Sequence, residues 1–450
     1  MQLVSTIKPK LSLSLFFLSV SLYTAAQENS PFSRYGLGDP LPLQNVIGRA
    51  LGGAASTYAT SQSINLSNPA SYSELKIVTY DIGVTLDNRT LKSTNPLQKY
   101  NSVNLTPAYV ALGMPLNKKR NIGLAFGLRP LTRVSYSIEE RKRLRSDSMA
   151  YVYEGDGGLY QFFLGLGKRW GNLERGKSTF RIGFNTGYNF GRKENITRAI
   201  PLDSVLTYKS NSTTLTTFGS GFINGGLQYE AKLNTKGTSS IRFGVAGNLK
   251  QTLKAEQQIN RETFTYDANG LVVRIDSVFK TAEQKGNIQL PLSYSAGISL
   301  HSYSVDQLGG RYEKSMIIAE YESTQWADYR FYNQPDKLAN SYLYKLGAQL
   351  TPNFLTGRSY WSKVTYRAGM YYGKEGVNAD GKQLPVYGVT LGAGFPIRRW
   401  RAYDDQYTNI NTTFEIGKRG GKENNITESF FRLSFGFNLS DVWFKKRRYD

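Results

Sequence analysis

The chain has no cysteine, one histidine and no long apolar run after its first residues. Without cysteine there is no disulfide framework, no thiolate metal site and no lipoprotein-type lipid anchor. A single histidine, His301, argues against a histidine-centred triad and against a multi-histidine metal site. A spanning helix needs about 20 consecutive apolar residues, and no stretch beyond residue 26 supplies them. Recognisable catalytic groupings are also missing. Glu139 and Glu140 abut Arg141, Lys142 and Arg143 as a solvated loop would, and Asp404 and Asp405 share a turn. The glycine pairs Gly52-Gly53 and Gly225-Gly226 lack the strand, lysine and helix of a phosphate loop. The expectation is a protein that is not an enzyme and takes no cofactor.

The net charge is +22. Nucleic acid is not the expected partner, because the cations are scattered and the chain begins like an exported one. Their clearest cluster is the tail Lys445, Lys446, Arg447 and Arg448. Anionic lipid head groups, including lipopolysaccharide, or acidic protein partners fit the charge better. Lys8 and Lys10 precede a run from Leu11 to Leu22, and Thr24-Ala25-Ala26 forms a small-residue cleavage site before Gln27. Residues 1–26 therefore read as a signal peptide.

What the chain has in quantity is alternation. Phe431, Leu433, Phe435, Phe437 and Leu439 fall on one parity, and Arg432, Ser434, Gly436 and Asn438 on the other. A period of two puts every large apolar side chain on one face of a strand. The pattern starts at Val78 and recurs to the end, for example in Phe180, Ile182, Phe184, Tyr188 and Phe190. An outer-membrane barrel turns such a face to lipid and the small or polar face inward, so 40% hydrophobic residues suffice.

The predicted strands are 77–87, 100–114, 120–138, 157–171, 178–192, 212–230, 239–254, 285–300, 310–324, 340–352, 361–374, 385–398, 406–418 and 427–440. The fold class is all-β: an antiparallel transmembrane β-barrel of about 14 strands with a small N-terminal hatch inside or under it. The connections following odd-numbered strands, such as 139–156, 193–211 and 255–284, exceed those following even-numbered strands, such as 115–119 and 172–177. Long extracellular loops and short periplasmic turns would sort in this way, with both termini periplasmic. Trp170, Trp361, Trp400 and Trp443 fall near strand ends, where interfacial rings belong. The domain reading is signal peptide 1–26, hatch 27–76, barrel 77–440 and a basic periplasmic tail 441–450.

The hatch carries Gly48-Arg49-Ala50-Leu51-Gly52-Gly53-Ala54, followed by Asn68-Pro69-Ala70. These motifs resemble the "GGA … NPA" segment of the FadL/TodX family of outer-membrane proteins. The opening SPFSRYGLGD and the tail from Trp443 to Asp450 resemble that family's branch in Bacteroidota. The motif match covers about thirty residues, while the architecture matches over nearly the whole chain.

The resemblance implies a hatch built on Gly52, Gly53, Asn68, Pro69 and Ala70 in a Gram-negative outer membrane. It also implies passage of hydrophobic molecules, fatty acids or similar, through a blocked lumen and out through a gap in the wall. An apolar solute gains about 0.8 kcal/mol per buried CH₂, so lateral exit into lipid favours it. Asn68-Pro69-Ala70 can equally shape a plug without touching a ligand. The barrel assembly machinery is the expected partner during biogenesis.

A second reading comes from other members of the family in Bacteroidota, such as the shuttle barrel of type IX secretion. It makes the chain a non-transporting accessory barrel that binds partner proteins in an outer-membrane secretion or assembly complex. The predominantly polar inward parity leans this way. Three tripeptides, Asp147-Ser148-Met149, Asp203-Ser204-Val205 and Asp276-Ser277-Val278, resemble an O-glycosylation sequon of Bacteroidota. They mark Ser148, Ser204 and Ser277 as candidate sites in outer connections.

Overall fold

Fourteen antiparallel strands close on themselves into a barrel. The computed structural model describes residues 29–144, 147–171, 173, 178–203, 208–235, 237–305, 311–354, 358–379, 381–397 and 408–441. The signal peptide, the basic tail, Trp400, Trp443 and Ser204 lie outside them. The strands are β1 Val78–Thr94, β2 Leu97–Asn117, β3 Ile122–Leu144, β4 Asp147–Trp170, β5 Thr179–Pro201 and β6 Lys209–Lys232. β7 runs as Ser239–Asn248 and Gln251–Tyr266, and β8 as Val272–Lys280, Gln284–Leu290 and Ser293–Val305. The remainder are β9 Arg311–Thr324, β10 Ser341–Leu350, β11 Thr365–Ala379, β12 Lys382–Ile397, β13 Thr408–Arg419 and β14 Ile426–Asp441. β14 pairs with both β13 and β1, which completes the ring. Each strand corresponds to one of the fourteen predicted from alternation.

The parity rule holds where lipid would be. Phe180, Ile182, Phe184, Tyr188 and Phe190 point outward, each 40–51% exposed, while Arg181, Asn185 and Asn189 are buried inside. Val78 pairs with Asp441 at one end, here the base. The opposite end is the rim.

At the rim the structure departs from expectation. The stretches read as long loops are mostly ladder: β4 pairs with β3 from Asp147 and with β5 up to Pro201. Ser148 and Ser277 accordingly lie in strands, not in open loops. Connection length does not sort the two ends, since 351–364 at the base is far longer than 95–96 at the rim. Ladder extension does: several strands rise far beyond the ~10 residues that cross a bilayer. Above the membrane both faces meet water, so apolar alternation fades while hydrogen bonding continues.

The wall has a long break between β2 and β3. The β2–β3 ladder stops at Val110↔Leu128, and among the described residues the ladder of residues 97–109 of β2 is with β1. The exposed edge of β3 above the break is taken by the N-terminal segment. Asp39-Pro40 pair with Arg133 and Thr132, Leu41 N–H donates to Leu131 O at 2.9 Å, and Ser30 N–H donates to Ser135 O at 2.8 Å. Asn29 Nδ2 reaches Ser137 O, so residue 29 lies toward the rim. Both termini were expected at the base; Val78 and Asp441 are there, and residue 29 is not.

A charge at Phe435, on the outward parity six residues above the base, would face mid-membrane, where arginine costs roughly 2–4 kcal/mol. Phe435→Arg should reduce the heat-modifiable, folded fraction on cold gels, and Phe435→Leu should not. Equal folding of both variants would show that this face does not meet lipid.

Candidate functional site

The lumen is the site, and the segment 29–77 occupies it. Leaving the β3 edge at Leu41, the chain turns inward and forms α1, Val46–Ala50. Asn45 caps α1, its Oδ1 accepting from Gly48 N–H at 2.9 Å, as a helix start requires. α1 lies against β12–β14: Thr413 Oγ1 donates to Val46 O and Thr390 Oγ1 to Ala50 O. A Cβ on inward-facing Gly436 would come within 3.0 Å of Val46 Cβ.

Gly52 and Gly53 follow with φ of 68° and 81°, a conformation that favours glycine. A Cβ at Gly52 would sit 2.7 Å from the backbone of Met370, so this turn touches the wall directly. Opposite, Glu320 accepts from the N–H groups of Ala55 and Ser56 at 2.8 and 2.6 Å. Asn68 then caps the short helix Pro69–Glu74, its Oδ1 accepting from Ala70 N–H at 3.0 Å. Its Nδ2 donates to Ser56 O at 2.6 Å and reaches Leu227 O and Val245 O on β6 and β7. Gly52, Gly53, Asn68, Pro69 and Ala70 thus stand at two separate contacts with the wall. Each has a packing or capping task.

Two clusters of ion pairs fix the segment. Toward the rim, Asp39 lies 3.1 Å from Arg419 on β13 and 3.5 Å from Arg89 on β1. Arg89 and Arg419 also hold Glu428, Arg419 holds Glu375, and Arg432 links Asp87 to Glu415. Burial alone would raise the Asp39 carboxyl, but Arg419 and Arg89 outweigh it and hold it below the ordinary range. Near the base, Glu74 accepts from Arg169 at 2.8 Å and Arg181 at 2.7 Å, and Arg181 continues to Glu230 and Arg242. Here too burial raises the carboxyl, and the two guanidiniums win, holding Glu74 at about 2.

Further bonds tie the strand-like part down. Lys193 Nζ donates to Arg34 O and Gly36 O at 2.9 and 2.7 Å, and Asp336 accepts from Gly36 N–H. Phe32 lies beneath the Arg419 guanidinium, 5.0 Å from it.

Between this segment and the rim half of the wall remains a cavity of about 330 Å³. Leu41, Leu131, Leu249 and Trp326 give it apolar surface, and Arg49 and Arg129 line it with charge. Arg49 bonds to Thr85, Ser434 and Pro42 O, and Arg129 to Gln161, Leu43 O and Leu66 O.

One arrangement runs against the composition argument. Ser299 Oγ lies 2.7 Å from His301 Nε2, and His301 Nδ1 lies 2.9 Å from Glu313. A single histidine therefore does form a hydroxyl–imidazole–carboxylate chain. Ser299 is 1% exposed, does not line the cavity, and its backbone sits in ladders with β7 and β9. A nucleophile needs substrate space and oxyanion donors, whereas Ser299 is buried within two ladders. The chain acts as a crosslink between β8 and β9.

The ion-pair residues were not singled out from the sequence. Their signal was available: Asp87, Arg89, Arg419, Glu428 and Arg432 all stand on the inward parity of apolar strands, where a charge needs a partner.

Comparison with known proteins agrees with this geometry. The chain belongs to the BamG family. That family's model, described as BamG, matches residues 7–450. Among solved structures, a FadL homologue from Pseudomonas aeruginosa is similar over 89% of this chain and 99% of that one, at 11% identity and a TM-score of 0.53. The toluene transporter TodX from Pseudomonas putida is similar over 89% and 98%, at 14% identity and a TM-score of 0.50. The BamG-family chain therefore shares the FadL-like outer-membrane barrel fold. No curated protein matches it.

Glu74 has a folded pKa of about 2 against an ordinary 4.5, so its stabilisation is complete above about pH 4.5 and fades as pH falls toward 2. Removing one partner of a buried pair costs about 3–5 kcal/mol. Glu74→Gln should speed amide exchange across residues 64–77 at neutral pH and abolish its acid dependence between pH 4.5 and 2. Unchanged exchange would separate Glu74 from the anchoring of this segment.

Proposed function

We propose that this chain is a sealed, non-transporting FadL-like barrel that serves as a subunit of an outer-membrane protein complex. The family's name points to the barrel assembly machinery as that complex. In this reading the base is periplasmic and the rim extracellular. The supporting observation is that one segment occupies both exits, the lumen by packing and the wall break by strand pairing. A conduit for apolar solutes needs one of them free. The inward face is instead lined by ion pairs and amides, which favour water or protein over hydrocarbon.

Passage of hydrophobic molecules is the second reading, and the cavity beside Leu41 and Leu131 favours it. It lies next to the break in the wall and has room for a small apolar ligand. The likeness to a FadL homologue and to the toluene transporter TodX lends support at the level of fold. In either reading Gly52, Gly53, Asn68, Pro69 and Ala70 belong to the plug; Ser148 and Ser277 remain candidate glycan sites on the rim side, and Ser204 remains a candidate outside the described residues.

The two readings separate in native membranes. After mild detergent extraction, the chain should migrate on a native gel with other outer-membrane proteins. Its loss should lower the yield of other barrels without changing uptake of long-chain or aromatic solutes. Migration as a lone barrel, together with lost uptake, would replace the first reading with the second.

A further inference from the structure

The sheet that rises above the rim ends in an unprotected edge. The first piece of β8, Val272–Lys280, pairs with residues 260–266 of β7. Among the described residues no strand pairs with its other side: there the β8–β9 ladder ends at Ser293↔Thr324, and the short strand Arg330–Phe331 extends the pairing only to Ile288. Leu271, Val272, Val273, Ile275, Val278 and Phe279 are 42–68% exposed. Natural sheets blunt such edges with charge, proline or cover, and a long apolar edge left open is a template for another strand.

Lipid is not what covers it. Lys254, Glu256, Lys285 and Asn287 are exposed on the wall below it. They separate this edge from the outward apolar belt, which on β8 reaches up to Leu292. Lys280 is twelve residues before Leu292 in the chain, up to roughly 40 Å of strand. A second copy is also a poor fit. Two copies inserted in one membrane run this strand in the same sense, toward the bilayer, so they could pair only in parallel, the slightly less stable ladder. The occupant must offer main-chain donors and acceptors along the edge and apolar side chains on both faces.

Resting on the partner-subunit reading above, we propose that residues 271–280 are an extracellular docking edge. An extended, apolar strand of a different surface-exposed protein adds there in antiparallel register. The test uses the full chain, isolated with its complex from native outer membranes. The double variant Val273→Lys/Val278→Lys alters side chains that are already exposed, so heat-modifiable folding should stay at the wild-type level. Leu97→Lys, at an 88% exposed position at the rim end of β2, six strands away from this edge, is the control.

The double variant should retain at least tenfold less of one co-purifying protein, and the control should retain it all. In the wild-type complex, amides of 272–280 should exchange at least tenfold more slowly than in the purified barrel. An intact complex with unprotected amides in this stretch overturns the docking edge and leaves the partner-subunit reading standing. A wild-type chain that yields no complex overturns both.

Discussion

Two carboxylates tie the N-terminal segment to the wall, and each sits between two arginines. Asp39 lies between Arg89 and Arg419, and Glu74 between Arg169 and Arg181. The segment 29–77 has no other acidic residue. The barrel interior, in turn, carries buried arginines that would be costly without a counter-charge. One carboxylate acts near the rim and the other near the base. Between them the segment is held at both ends and cannot swing on a single hinge. The capped turns at Asn45 and Asn68 and the glycine turn at Gly52 then bring its backbone against several strands at once.

The same clamp explains the break in the wall. Separation of β2 from β3 above Val110 and Leu128 would leave two edges whose backbone groups need partners. Residues 29–41 supply one edge with hydrogen bonds, and Asp39 is the residue that both pairs with Arg133 in the ladder and enters the ion-pair cluster. Opening the wall at this point thus requires the loss of strand pairing and of a buried charge contact together. A barrel built to release solutes sideways would be expected to separate these two costs.

The barrel was legible because lipid enforces a period of two, as in Phe431 to Leu439, and all fourteen strands follow from it. The rim extensions were not, because residues such as 193–201 pair in a ladder without any apolar face to announce it. The plug motifs were legible as a resemblance and as an Asn-Pro turn; the left-handed turn at Gly52 and the capping role of Asn68 depend on which helix and wall strands they meet, which the sequence does not state. The ion pairs join residues as far apart as Asp39 and Arg419, and nothing local in the sequence links two charges across 380 positions. The Ser299–His301–Glu313 chain was missed because counting histidines does not reveal what one histidine touches.

Ionic conductance in planar bilayers tests the clamp most directly, comparing the wild-type chain with Asp39→Ala/Glu74→Ala at equal insertion. The account predicts a silent wild type and stepwise openings in the double variant, whose polar inner wall would admit water once the segment is loosened. Open-pore conductance in the wild type, or a double variant as silent as the wild type, would contradict it.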